Sequence, residues 1–246
     1  MKNDNYFFSV NVLLLLIVLI GFSPTFYLRP LSSQEPLPFY LIIHGISCTA
    51  WFIVIVIQSY FIKTGRVIQH KIYGKYFSLI APMIVLSGFA VVMYLIGKYH
   101  MQFPPPNSEA YIEGEGIHDV MVSVGGIIQL ITFLLFVYVG YRYRSKGIIH
   151  KRAMLIASLI ICQQALVRLG QFKLFMIGED PGASGGIYSV VVPFVLLLSL
   201  LVYDTIKFKK PKVISIVGLI AYISFILAAF GLTSSGLALK LIESFR

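Results

Sequence analysis

Seven long apolar runs constrain this sequence more than any other feature. A membrane-spanning helix needs roughly 20 predominantly apolar residues, at 1.5 Å of rise per residue. Runs of about that length lie at residues 6–28, 37–62, 76–96, 120–141, 153–172, 187–206 and 213–232. They use nearly the whole chain, so no separate soluble domain is expected. The pattern predicts an all-α, polytopic membrane protein, with residues 1–246 forming one integral membrane domain of seven transmembrane helices.

Composition agrees with this fold class and argues against nucleic acid as a partner. Hydrophobic residues make up 58% of the chain and charged residues 12%, far from the averages of soluble proteins. The net charge of +10 comes from loops rather than from one continuous basic surface. The basic residues gather in alternate loops, at Lys63, Arg66, Lys71, Lys75, then Arg142, Arg144, Lys146, Lys151, Arg152, then Lys207, Lys209, Lys210, Lys212.

The charge of the loops alternates in sign along the chain. The loops between the basic ones are acidic, with Glu35, then Glu109, Glu113, Glu115, then Glu179, Asp180. Basic loops stay in the cytoplasm, so the N-terminus is predicted to be cytoplasmic, in the plasma membrane. The basic face is expected to contact anionic lipid headgroups as well as the bilayer itself. The oligomeric state is left open by the sequence.

Spans two and three resemble spans four and five, as in an internal repeat. Each pair has a histidine near its outer start, His44 or His118. Each inner loop has a basic residue followed after three residues by His-Lys, at Arg66–His70–Lys71 and at Lys146–His150–Lys151. Parallel repeats of this kind place a shared site at the interface between the repeats.

The histidines fall on polar stripes of the four central helices, which are predicted to form the core. His44, Trp51 and Gln58 are seven residues apart and share one helical face. His150, Gln164 and Arg168 share another, on span five. By depth, His44 and His118 form an outer pair, and His70 and His150 form an inner pair. Placing an ionisable residue inside a membrane span costs free energy, so these positions are candidate functional sites.

Paired imidazoles on facing helices suit the two axial positions of haem b. Such ligation leaves no open coordination site and favours electron transfer. Four histidines are therefore candidate iron ligands, at His44, His118, His70 and His150. Arg168 on the outer side, and Lys71, Lys151 and Arg152 on the inner side, are candidates for holding the propionates.

The arrangement of helices and histidines over residues 37–175 resembles the cytochrome b561 family. That resemblance implies a four-helix core with two b haems, each held by ligands from alternate helices. A second set of residues is similar to a group of uncharacterised bacterial multi-pass membrane proteins. It comprises His44-Gly45, Trp51, Gln58, His70-Lys71, Gly74, then His150-Lys151-Arg152 and Arg168. That group carries no established activity, so catalytic residues stay unassigned.

Other hypotheses remain open at this point. A transporter or small-molecule-binding protein would use an outer cluster of His44, Arg168 and Asp119. For Arg168, a structural salt bridge to Asp119 is the alternative to binding an anion or a propionate. A structural or assembly role is the third possibility, with His70 and His150 as interfacial residues among lipid headgroups. An acidic outer metal site is a weaker candidate, at Glu113, Glu115, His118 and Asp119. Spans one, six and seven are expected to be packing helices, in which only Asp204 stands out.

Overall fold

The computed structural model describes residues 5–31, 35–106, 108 and 116–246, apart from the side chain of His118. Within these residues all regular structure is helical and no strand occurs. The helices are α1 (Tyr6–Gly21), α2 (Phe39–Lys63), α3 (Val67–Phe77), α4 (Ile80–Gln102), α5 (Ile117–Arg142), α6 (Gly147–Ile161), α7 (Gln163–Leu169), α8 (Pro181–Phe208), α9 (Val213–Ser234) and α10 (Leu237–Glu243). Short helical turns lie at Ser23–Tyr27, Arg29–Leu31 and Lys173–Phe175.

Five helical segments in the described chain are long and apolar enough to cross a membrane. They are Phe39–Lys63, Val67–Gln102, Asp119–Arg142, Pro181–Phe208 and Val213–Ser234. A sixth is formed if α6 and α7, which are bent by 44° at Cys162, count as one span. The predicted all-α polytopic class is therefore confirmed, while the number of seven spans stays a prediction.

The first predicted span, residues 6–28, is divided in the structure. Its regular helix, α1, has only 16 residues and ends at Gly21, and the chain continues as a π-helical turn at Ser23–Tyr27. Pro24 explains the interruption, because a proline ring removes a backbone donor and restricts the residue before it. The apolar run is longer than the regular helix that it forms.

The fifth predicted span, residues 153–172, begins earlier than expected and bends. Helix α6 starts at Gly147, and the bend follows Ile161. The Ser158 hydroxyl donates to the Met154 carbonyl, 2.9 Å away, and bonds of this type favour helix bending. The bend redirects the α7 segment, which packs against both α1 and α8.

Helix α6 lies at the centre of the bundle. Ala153 and every residue from Leu155 to Ile160 are buried. The neighbours of α6 include α1, α5, α8 and α9. Three of them, α1, α8 and α9, correspond to spans one, six and seven, which the sequence predicted to be packing helices. The core thus extends beyond the four central spans that the sequence indicated. Small residues permit this closeness, since a Cβ at Gly218 of α9 would lie 2.4 Å from the Ile156 side chain.

Candidate functional site at a histidine pair

His70 and His150 occupy equivalent positions in the two halves of the sequence repeat. Arg66 and Lys146 are the N-cap residues of α3 and α6. The His70 amide donates to the Arg66 carbonyl at 3.1 Å, and the His150 amide donates to the Lys146 carbonyl at 3.0 Å. Each histidine therefore lies in the first turn of its helix. The shared basic-x-x-x-His spacing is the sequence signal for this placement.

The two imidazole rings lie side by side. Their centroids are 6.0 Å apart and their planes are inclined by 76°. Imidazole–metal bonds are about 2.0–2.1 Å long, and a ring nitrogen lies about 1.1 Å from the ring centre. Two imidazoles on one ion therefore have ring centres about 5 Å apart at a tetrahedral angle and about 6.4 Å apart when they bind on opposite sides. The spacing of His70 and His150 suits a single ion between them.

The hydrogen bond of His150 determines which of its ring nitrogens is available to a ligand. Nδ1 donates to the Gly140 carbonyl, 2.8 Å away on α5. A neutral imidazole that donates from Nδ1 carries its lone pair on Nε2. Metal-binding histidines commonly make this type of second hydrogen bond, because it orients the ring and fixes the tautomer.

Buried polar atoms without partners in the described chain occur at His70 and at Gln58 of the neighbouring helix α2. Among the described residues, no partner is found for His70 Nδ1 or for either side-chain polar atom of Gln58. His70 lies close to the Gln58 backbone. A Cβ at Gly74 would lie 3.4 Å from Gln58 Oε1, so one turn of α3 faces that amide. Buried polar groups are nearly always satisfied, so this cluster points to a bound group or ordered water.

The outer histidine His44 is engaged within the protein. Ser87 Oγ donates to the Met83 carbonyl at 2.6 Å, so it accepts from His44 Nδ1 at 3.0 Å. His44 Nε2 lies 3.6 Å from Cys48 Sγ, where the thiol is the donor. Both ring nitrogens of His44 are thus occupied, in a link between α2 and α4.

Of the remaining outer residues, the structure describes Arg168 and Asp119. The His118 side chain, Glu113 and Glu115 lie outside the described residues. Arg168 donates from Nη1 to the Gln164 carbonyl at 3.0 Å, and its guanidinium lies 4.5 Å from the centre of the Phe22 ring. The ion pairs between described residues do not join Arg168 to Asp119.

Arg152 has a different role from the one predicted. Instead of facing a propionate, its guanidinium forms an ion pair with Asp204 of α8, and both side chains are fully buried. Arg152 Nη1 also donates to the Ile148 carbonyl at 2.8 Å. Lys151 lies 4.3 Å from the centre of the Phe7 ring, whereas Lys71 is exposed near the histidine pair. Asp204 was visible in the sequence as a lone intramembrane acid, but its partner was not.

Trp51 and the cysteines have packing roles in the described chain. Trp51 Nε1 donates to Ser158 Oγ at 3.0 Å, and its ring meets Phe133 edge to face. Cys48 and Cys162 are both free thiols.

No group of three or more His, Cys, Asp or Glu side chains comes together as a metal site within the part of the chain that is described.

Comparisons with known proteins do not assign the chain to a family. No known protein family, curated protein or solved structure matches the chain. The site must therefore be interpreted from its own residues.

Proposed function

We propose that this integral membrane protein binds haem b between His70 and His150 and transfers electrons. The observation that carries the proposal is the spacing of the two imidazole rings, whose centroids are 6.0 Å apart. Haem iron held by two histidines exchanges one electron and leaves no open position for a substrate.

The donor set near the pair fits such a group. His150 holds its Nδ1 proton on the Gly140 carbonyl, which leaves Nε2 free to bind a metal. Within the described residues, His70 Nδ1 and the Gln58 amide are buried polar atoms that lack partners. The Gln58 amide is a donor for a propionate, and the exposed Lys71 ammonium is a counter-charge.

The proposal concerns one site rather than the two that the b561-like arrangement implies. His44 uses one ring nitrogen with Ser87 and the other with Cys48, so iron ligation there would break the bond from the Cys48 thiol. His70 and His150 are thus the better supported pair. They are also the pair for which an interfacial lipid role is the alternative.

The alternative function is binding or transport of a small molecule at the outer side. Arg168 is the observation that favours it. Its guanidinium packs on Phe22 and makes its hydrogen bond to the carbonyl of its own helix. A structural or assembly role predicts no bound group at either place.

An optical spectrum tests the proposal directly. Protein is purified in mild detergent from haem-supplied cells and reduced with dithionite. We expect a b-type Soret and α band from the wild type, and loss of most of it in His70→Ala and His150→Ala. His100→Ala is the matched control. His100 lies in the last turn of α4, at the end farther from α3, and its ring donates to the Ile242 carbonyl. Size-exclusion chromatography verifies that each variant is folded.

Two outcomes would overturn the proposal. A folded, colourless wild type removes the electron-transfer function. A spectrum that survives in His70→Ala and disappears in His44→Ala moves the haem to the outer pair. Retention of radiolabelled organic anions that is lost in Arg168→Gln would support the small-molecule alternative instead.

A further inference from the structure

A long groove runs along the side of the bundle between α5 and α9. Its larger part has a volume of about 450 Å³ and lies between Ile128 and Ala228. A second part of about 350 Å³ continues it towards Tyr143 and Lys212. Val139, Ile214 and Val217 line both parts, so they form one surface, which we call the α5/α9 groove.

The walls of the larger part are mostly apolar. Phe136 and Phe225 lie on opposite walls, and Ala221 is a small residue between them and the basic end. The Thr132 hydroxyl donates to the Ile128 carbonyl at 2.7 Å, so its polar group is already satisfied within α5. Such a surface makes dispersion contacts with a hydrocarbon chain and offers few hydrogen-bonding groups to water.

The groove is long enough for an acyl chain. Along α5 it extends from Ile128 to Tyr143, which is about 22 Å at 1.5 Å per residue. The hydrocarbon depth of one leaflet is about 15 Å, half that of the bilayer core. A chain lying in the groove therefore passes through the depth of a leaflet.

Positive charge gathers at one end of the groove only. Lys212 lines that end, and its Nζ lies 4.0 Å from the centre of the Phe208 ring. Lys146 Nζ and the Arg142 guanidinium lie 5.5 Å and 5.7 Å from the centre of the Tyr143 ring, which also lines it. The N-terminus of α9, the positive end of that helix dipole, is at the same place.

The position of Lys212 is held from within the bundle. Its backbone amide donates to Asp204 Oδ2 at 3.2 Å, and Asp204 is fixed in turn by Arg152. Lys212 is thus a cation anchored at the N-cap of α9, at one end of the groove.

We propose that the α5/α9 groove binds a single anionic phospholipid, with an acyl chain along Phe136 and Phe225 and the phosphate at Lys212. Charge complementarity selects this occupant. A neutral lipid would bring no net negative charge to Lys212, Lys146 and Arg142. A helix from a second copy would have to bury the charge of Lys212. This site does not depend on the haem proposal. It shares only backbone contacts with the histidine pair, through the Lys146 carbonyl, which accepts from the His150 amide, and none of the side chains proposed to hold the lipid belongs to the pair.

Lipid retention measures this binding. The wild-type protein is reconstituted in vesicles of phosphatidylglycerol and phosphatidylcholine in equal amounts, extracted in mild detergent and analysed by native mass spectrometry. We expect one retained phosphatidylglycerol per chain. Lys212→Gln keeps the backbone amide and removes the charge, so we expect the preference for phosphatidylglycerol to fall about fivefold. Ala221→Trp fills the groove, and we expect it to abolish retention of either lipid.

Matched controls separate the site from general effects of charge and bulk. Lys75→Gln removes an exposed lysine at the same basic end, on α3, and Leu227→Trp adds the same bulk on α9 outside the groove. Both controls should retain lipid like the wild type. An equal loss in Lys75→Gln and Lys212→Gln would overturn the proposal in favour of diffuse attraction. Unchanged retention in Ala221→Trp, or a dimer that Ala221→Trp dissociates, would overturn it as well.

Discussion

Arg152 of α6 and Asp204 of α8 form an ion pair in which both side chains are fully buried. Arg152 Nε donates to the two carboxylate oxygens at 3.0 Å and 3.1 Å. Asp204 Oδ2 also accepts from the Ser215 hydroxyl at 2.7 Å and from the Lys212 amide at 3.2 Å. One carboxylate therefore connects three helices, α6, α8 and α9. Each charge has the partner that burial in a membrane protein requires.

Removing the arginine should be strongly destabilising. Arg152→Met leaves Asp204 buried without its counter-charge, and breaking a buried pair typically costs about 3–5 kcal/mol. The double variant Arg152→Met with Asp204→Asn should recover much of the loss, because the Asn carbonyl still accepts from Ser215 and Lys212. Thermal unfolding in detergent, followed by size-exclusion chromatography, measures both.

The pair formed by Arg246 and Glu243 is the control for this prediction. Its side chains are 28% and 18% exposed, with a separation of 2.9 Å. Solvent-accessible pairs of this kind contribute about 1 kcal/mol or less. We expect Arg246→Met to unfold close to the wild-type temperature. Equal effects of Arg152→Met and Arg246→Met would contradict the role assigned to Asp204.

Two neighbouring glycines in α8 should respond differently to alanine. A Cβ at Gly185 would lie 2.3 Å from the Val167 carbonyl oxygen, whereas a Cβ at Gly186 meets nothing within 4 Å. Because the obstacle at Gly185 is backbone, α7 and α8 must separate, at a cost of about 1–3 kcal/mol. Gly186→Ala should be neutral or stabilising by up to about 1 kcal/mol. The difference in melting temperature between the two variants tests the close contact of α7 with α8.

Tyr222 replaces a backbone bond that Pro193 removes from α8. Pro193 has no N–H to donate to Ser189, and the Tyr222 hydroxyl lies 2.9 Å from the Ser189 carbonyl oxygen. Tyr222→Phe should cost about 0.5–1.5 kcal/mol, since it removes the hydroxyl and leaves the Ser189 carbonyl with the longer bond from Gln163 Nε2, at 3.4 Å. The cost should shrink in a Pro193→Ala background, where the restored amide can donate.

A double-mutant cycle in detergent tests this coupling between Tyr222 and Pro193. Tyr138→Phe is the control, because that side chain is 62% exposed. Additive effects of Tyr222→Phe and Pro193→Ala would show that the hydroxyl does not serve the carbonyl that proline leaves free.

The orientation of the chain is a prediction from loop charge. Reporters active only in the cytoplasm should function when fused after Gly147, at the start of α6, or after Lys210, since both follow basic residues, and should be inactive after Gly182. Activity after Gly182 with none after Gly147 would invert the topology. The haem and lipid sites would then lie at the opposite face of the membrane.

Helix content and the position of many helix ends followed from local patterns. The start of α9 agrees with the predicted span 213–232, and α2 with the predicted span 37–62, within a few residues. Apolar length and loop charge are properties of consecutive residues, so they can be read along the chain. The length of α1 was overestimated, because hydropathy does not register the backbone effect of Pro24.

The sequence by itself determined the class of this protein, the repeat that carries His70 and His150, and the presence of intramembrane charges that need partners. Only the tertiary structure decided which charges meet. Depth along a helix can be estimated from sequence, but the rotation of one helix against another depends on side-chain packing across the bundle. That rotation joins Arg152 to Asp204, and it places His44 against Ser87 and Cys48. It also sets His150 beside His70.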